Sequence, residues 1–307
     1  MGLNILDIRI GRIFRRNSRL GYSLSNVWFI LKGNPLSIIG LALVLAYVAA
    51  ALAVLVFGNA ILPFNPYKIL VGKPFFPPSS RFLFGTDELG RDVFSRTVAA
   101  TPLDLGIGLS IGLIAMFFGG TVGMISGYLG GRIDTVLMRI TDVFLSFPTL
   151  ILALAVAVVL GPSVVHSIEA LSVVWWTAYA RLARGQTLSA KNQLYVVAAR
   201  AAGVSELVII FRHILRNIFD TLFIYLTMDI GTVILTFSTL SFLGVGVPSP
   251  IPEWGRMVFR GESFIFQAPW ITLAPGFAIF FAVFAFSLLG DALRELLDPR
   301  TRKIIVR

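Results

Sequence analysis

Long apolar runs alternate with short basic segments along this chain. Counted against the roughly 20 residues that a helix needs to cross a bilayer, the charge-poor runs predict helices at about 36–57, 103–127, 143–160, 164–180, 218–246 and 270–290. The fourth is the least regular, because His166 and Glu169 fall near its start. Gly161-Pro162 separates the third from the fourth. Within the second run, Gly119, Gly123 and Gly127 repeat at four-residue spacing, extended by Ala115 with Gly108 and Gly112 above. Such a stripe of small residues predicts a close helix crossing, either inside one subunit or as a wall against a second one.

Composition sharpens the pattern. Only 14% of residues are charged and 56% are hydrophobic, with a mean hydropathy of +0.85, where a soluble domain carries about a quarter charged. The expected fold is therefore an all-α membrane protein of six transmembrane helices. The first apolar run follows Arg9, Arg12, Arg15, Arg16 and Arg19 and is too long and too late for a signal peptide core, so it reads as an uncleaved span. The chain has no cysteine, which excludes disulfides and thiolate chemistry.

The net charge of +10 bears first on topology. With the N-terminus inside, 19 of the 26 Lys and Arg residues fall in inner segments, as the positive-inside rule requires. That layout gives a basic cytoplasmic N-terminus (1–35), a transmembrane domain (36–293) and a cytoplasmic tail (294–307) in a multi-pass protein of the cell membrane. It also puts 181–217, between the fourth and fifth helices, in the cytoplasm.

The core of that loop, Ser189 to Asn217, reads as helix, break, helix. Ser189 is positioned to cap a first helix, Gly203 to stop it in the left-handed region, and Ser205 to cap a second helix with Glu206 in its first turn. Ala198, Ala199 and Ala202 would share one small-residue face. The AARAAGVSEL stretch looks like a DNA-reading helix-turn-helix, but about 35 residues held between two spans cannot build that fold's own core, so no nucleic-acid partner is expected.

On the outer side, 58–102 contains Pro63, Pro66, Pro74, Pro77 and Pro78, followed by FGTDELGRDVFSR. Thr86 as a cap with Asp87 and Glu88 in the first turn predicts a short amphipathic helix leading into the second span. Its charges, Asp87, Glu88, Arg91 and Asp92, either pair among themselves in solvent or meet an external protein.

Nucleotide chemistry is missing from the sequence. Gly72-Lys73 is followed by proline and lacks the upstream glycine of a phosphate-binding loop. His166 and His213 lie on opposite sides of the membrane in this topology, so no metal site or catalytic constellation is expected from them. Asp229 is the deepest ionisable residue, about 13 Å along the fifth helix from Asp220. It could line a polar path, attract a cationic group of a solute, or hydrogen-bond a neighbouring helix. Asp104 and Glu169 are expected to snorkel to the outer interface.

Six ordered segments resemble the permease subunits of ATP-binding cassette importers, in the dipeptide, oligopeptide and nickel branch. They are FGTDELGRDVFSR (84–96), GYLGGRIDTVLMRITDVFLSFP (127–148), YARLARGQTLS (179–189), YVVAARAAG with FRHILRN (195–203 and 211–217), LSFLGVGVPSP (240–250) and LGDALRELLDPR (289–300). The resemblance covers about residues 80–300 and is similar in particular to the second permease of peptide importers. It implies that the cytoplasmic loop is a coupling helix seated in a groove of a separate ATPase subunit. By position, Ala198, Ala199 and Gly203 match that docking motif, with Ala202, Ser205 and Glu206 between, and His213 and Leu215 match its downstream end. Val197 stands where the motif has an acid, Arg216 where it has a proline, and Phe237 where a glutamate is common.

The resemblance further implies a second homologous permease, two ATPase subunits that carry ATP and magnesium, an external substrate-binding protein, and no cofactor in this chain. The expected function is half of a translocation path for peptides or similar solutes, worked by alternating access. An ion-driven secondary transporter, or an importer of the same class for oligosaccharides or nickel, is the alternative. An ion-driven transporter should show inverted repeats and paired intramembrane charges, and no such repeat is evident.

Overall fold

The computed structural model describes residues 34–297, within which the extended elements are helices and the only β pairing is a single bridge between Thr86 and Asp92. The expectations for 1–33 and 298–307 fall outside the described residues. Helix α1 spans Pro35–Phe57, opened by an Asn34 side chain that accepts the Leu36 N–H and by proline at the first position. Helix α2 spans Val93–Leu129, and its Asp92 cap accepts the Ser95 N–H at 2.8 Å.

Helices α3 (Gly131–Leu145) and α4 (Thr149–Leu160) meet at 84°. The break falls at Phe147-Pro148, where proline both removes an N–H donor and bars its predecessor from helical geometry. Helix α5 spans Val164–Ala190, α6 Leu194–Ala201, and α7 Glu206–Phe242, with a π-wound turn at Ile209–Ile214. Helix α8 (Trp254–Glu262) is capped by Glu253, whose carboxylate accepts the Gly255 and Arg256 N–H groups at 2.6 and 2.8 Å. Helix α9 spans Trp270–Leu297.

Four helices, α1, α2, α7 and α9, are long and apolar enough to cross a membrane, and the bent pair α3 and α4 counts as a fifth if it forms one span. The chain is thus an all-helical membrane protein. Its helices outrun their apolar runs: α2 starts ten residues before 103, α5 continues to Ala190, and α7 begins at Glu206 instead of 218. The cause is common to all three. Polar residues such as Arg96, Arg184 and Arg212 sit on helical turns beyond the apolar stretch, where hydropathy no longer marks the helix.

The glycine stripe fixes the centre of the bundle. A Cβ on Gly119 or Gly123 would strike the carbonyl oxygens of Trp176 or Ala180, and one on Gly127 would lie 2.9 Å from that of Arg184. Three glycines on α2 thus meet three backbone carbonyls one turn apart on α5, so the stripe packs within the chain. Gly108 and Gly112, on another face, receive Ile234 and Leu226 of α7. Gly231 of α7 lies against Val283 of α9, and Gly40 of α1 against Leu288. The helices are therefore ordered α5, α2, α7, α9, α1, each pair joined through a glycine.

Two features near the start of α2 differ from expectation. No helix starts at Thr86. The Thr86 hydroxyl donates to the Lys73 carbonyl at 2.6 Å, and the Asp87 carboxylate accepts the N–H groups of Leu89 and Arg91, both at 2.9 Å. Side chains that satisfy backbone groups this way favour a turn over a helix, and Gly85 and Gly90 have φ of +67° and +68°. Asp104 does not snorkel. It is fully buried against Glu253 and accepts the Trp254 N–H at 3.4 Å.

Candidate docking loop and translocation path

The segment after α5 folds back on the bundle instead of hanging free. Lys191 donates to the Gly127 carbonyl at 2.8 Å, and the Arg200 guanidinium lies 5.4 Å from the centre of the Tyr128 ring. Val196 and Ala199 of α6 are buried, as are Ile209, Ile210 and Ile214 of α7. Gly203 has φ +76°. Its N–H donates to Arg200 and that of Val204 to Ala199, at 3.0 and 3.1 Å, closing α6 with the paired bonds of a Schellman end. Helix, break, helix is thus present, with altered boundaries. Ser189 lies inside α5 with its hydroxyl on Gly185, the cap position of α6 is Gln193, and Ser205 holds its cap position without a side-chain bond.

The three alanines separate. Ala199 points into the fold, whereas Ala198 and Ala202 are exposed together with Gly203, Ser205 and Glu206; His213 and Leu215 are half-buried. Around the exposed alanines stand Leu194 (86% exposed), Val197 (51%) and Leu207 (67%), with Phe211 farther along α7. The outward surface is therefore an apolar platform on a buried footing. Sequence reasoning found the helices and the glycine but not this inside-out division, which depends on how α6 leans on α2.

A clamp beneath the platform was not foreseen. Arg184 of α5 holds Asp134 of α3 through two bonds of 2.6 Å, and the Ser126 hydroxyl of α2 also donates to Asp134. The Arg184 bonds are the main reason that the Asp134 carboxyl sits at about 2, below its ordinary value. Because the folded value is depressed, the pair stabilises fully above the free-carboxylate range and is lost as pH falls through about 4 toward 2. Asp134→Asn is expected to cost about 1 kcal/mol. Thermal melts of the two proteins should differ by a constant amount above about pH 5 and converge only as pH approaches about 2.

In the bundle, Asp229 is buried and accepts the Trp175 indole N–H at 2.7 Å and the Tyr179 hydroxyl at 2.9 Å, both from α5. Beside it, α7 leaves one polar face at least partly uncovered. Thr221, Tyr225, Thr232, Thr236 and Thr239 recur at intervals of four, seven, four and three residues, which keeps them on one helix face, and are half-buried or exposed. The uncovered faces of α1 and α9 are instead Leu, Ile, Val and Phe, including Phe277, Phe280 and Phe284. In the turn before α2, Asp87, Arg91 and Asp92 are buried and Glu88 half-buried. Arg91 pairs with Asp87 at 2.6 Å and with Glu88 at 3.4 Å. The charges therefore pair among themselves, but under cover and not in solvent. They hold the outer turn together and leave Leu89 at its surface.

Residues 119–303, which contain the α2 to α5 crossing, the platform and the α7 face, match the family described as the inner membrane component of binding-protein-dependent transport systems. The chain belongs to this family. It is 38% identical over 273 residues to the dipeptide transport system permease protein DppC of Alkalihalophilus pseudofirmus, covering 89% of this chain and 88% of that one. It is also similar to the glutathione transport system permease protein GsiD of Pectobacterium atrosepticum (41% over 225 residues; 73% and 75% covered) and to the nickel transport system permease protein NikC of Escherichia coli K12 (37% over 238 residues; 78% and 86%). This permease is accordingly a multi-pass membrane subunit of an ATP-binding cassette importer, and the ion-driven alternative falls away.

Proposed function

We propose that this permease forms half of a translocation path for peptides. A second homologous permease would supply the other half, and two ATPase subunits carrying ATP and magnesium would power it. An external binding protein would deliver the solute. The observation that carries the coupling role is the apolar platform of α6 and the start of α7, exposed yet footed on buried Val196, Ala199 and Ile210. A surface so mounted would pass its displacement to α2 and α7. Six crossings, with α5 as the fourth and the bent α3 to α4 unit as the third, place both termini and the platform in the cytoplasm. The chain then has no ATPase site of its own and couples by contact alone. Closure of the ATPases would rock the helices between inward-open and outward-open states.

The path runs along the threonine and tyrosine face of α7, with Asp229 behind it holding α5 in place. Neutral hydroxyls suit peptide amides, and the dipeptide and glutathione permeases among the relatives favour that substrate class over the nickel alternative. Because the chain lacks cysteine, single-cysteine variants report cleanly. Thr232→Cys and Thr239→Cys in the assembled importer are expected to react with a membrane-impermeant thiol reagent at least about tenfold faster than Phe280→Cys, which faces lipid. Equal rates would remove α7 from the path. For the assembly itself, the purified permease should hydrolyse no ATP and should co-purify with its ATPase subunits; hydrolysis by the chain alone would overturn the reading.

A further inference from the structure

The outer ion-pair network is short of negative charge. Arg91 and Arg96 share Asp87, at 2.6 and 3.9 Å, while Arg91 and Arg260 share Glu88, at 3.4 and 3.3 Å. A fourth arginine, Arg256 on α8, forms no ion pair among the described residues, and its Nε is buried without a hydrogen-bond partner. The nearest acid in sequence, Glu253, spends its carboxylate on the backbone N–H groups of Gly255 and Arg256. Asp92 caps α2 through Oδ2, and its buried Oδ1 has no hydrogen-bond partner, so it forms no bond to Arg256.

Arg256, Arg96 and Arg260 line one recess together with Ser249, Ile251 and Met257; its lining includes no acid, and Asp87 and Glu88 meet Arg96 and Arg260 without reaching Arg256. Arg96 is 4% exposed. Arg96 still has Asp87 at 3.9 Å and the Pro66 carbonyl at 2.7 Å, whereas half-buried Arg256 has no anion, and a buried guanidinium nitrogen without a partner is costly. The recess therefore favours a counter-charge from outside the chain. Its cavity is about 10 Å³, room for one water-sized group. A carboxylate oxygen at the tip of a side chain or chain terminus fits such a space, and the planar guanidinium of Arg256 suits its geometry.

We propose that this recess is a carboxylate-binding site on the outer face of the permease, with Arg256 as its principal donor and Arg96 and Arg260 supplying the field. Two sources offer that chemistry, an acidic side chain of the delivering protein and the free terminus of a peptide.

The first test needs no transport. Sodium acetate, compared with sodium chloride at equal ionic strength, is expected to raise the melting midpoint of the purified full chain by ~2–5 °C. Arg256→Gln should lose that response. Ile251→Glu, which places a carboxylate at the mouth, should raise the midpoint without acetate and abolish the response to it. This second variant decides the matter if Arg256→Gln accumulates poorly. No acetate response in the wild type, or equal responses in wild type and Arg256→Gln, would overturn the site.

The second test rests on the importer reading above and uses the assembled transporter in vesicles. If the carboxylate belongs to the solute, Arg256→Gln raises KM about tenfold for a dipeptide and leaves its C-terminal amide unchanged. If it belongs to the delivering protein, that protein's Kd weakens about tenfold for both solutes. Wild-type transport that Arg256→Gln leaves intact in both respects would overturn the functional role. Absence of wild-type transport would instead fault the importer reading, and the acetate result would stand by itself.

Discussion

Gly123→Leu is expected to abolish accumulation of folded permease. The α-carbon of Gly123 lies so close to α5 that even a methyl group would overlap the Ala180 carbonyl, the Ala183 side chain and the Arg184 nitrogen. These obstacles are mostly backbone, which cannot turn aside as a flexible side chain can. Leucine must therefore part the two helices along the stretch from Gly119 to Gly127, and it would forfeit the dispersion contacts of the whole crossing. Overpacking of an ordinary core costs about 1–3 kcal/mol, and a helix pair forced apart should exceed that range. Detergent-solubilised protein should shift from a single peak to aggregate in size-exclusion chromatography. Gly185→Ala supplies the contrast: it lies on α5 with nothing within 4 Å of an added Cβ, so it should be stable or gain about 0.5–1 kcal/mol. Equal behaviour of the two variants would mean that the α2 to α5 contact does not hold the bundle together.

The same crossing marks what the residues alone disclose. The four-residue spacing of Gly119, Gly123 and Gly127 announced a close approach, because spacing is a local property of a helix. The partner was undecided, since the small-residue face would look the same against α5 or against another subunit. Helix ends were legible only where a cap or breaker marks them, as at Pro35, Gly161 and Gly203. The α2 start was missed because Asp87 turns its carboxylate to backbone N–H groups and Asp92 takes the cap instead. Asp104 and Glu253, remote in sequence, meet only through tertiary packing. The clamp of Asp134 by Arg184 was hidden for the same reason, although both residues stand where apolar runs give way to charge. The resemblance singled out the segment between α5 and α7, but the division between buried Ala199 and exposed Ala198 follows from how α6 leans on α2 and α7.

That division decides how the coupling role should be tested. Arginine at Ala199 would disturb the loop's own footing and confuse misfolding with uncoupling. Ala198→Arg and Leu207→Asp change only the exposed platform. Both variants are expected to insert and melt as the wild type does, while ATP-driven uptake by the assembled importer falls at least tenfold. Burial of one leucine side chain against a partner contributes about 1.5–3 kcal/mol, or roughly ten- to 150-fold in affinity, and a charge placed there adds a desolvation cost. Val197, 51% exposed, adds apolar surface to the platform, so in the proposed docking role the grip rests on apolar contact. ATPase capture should consequently be less sensitive to salt than to Leu207→Asp. Retained uptake in both variants would move the docking surface off α6 and the start of α7. Lost capture with an unchanged melting profile would assign the platform to the ATPase, with α2 and α7 as the first helices to receive its motion.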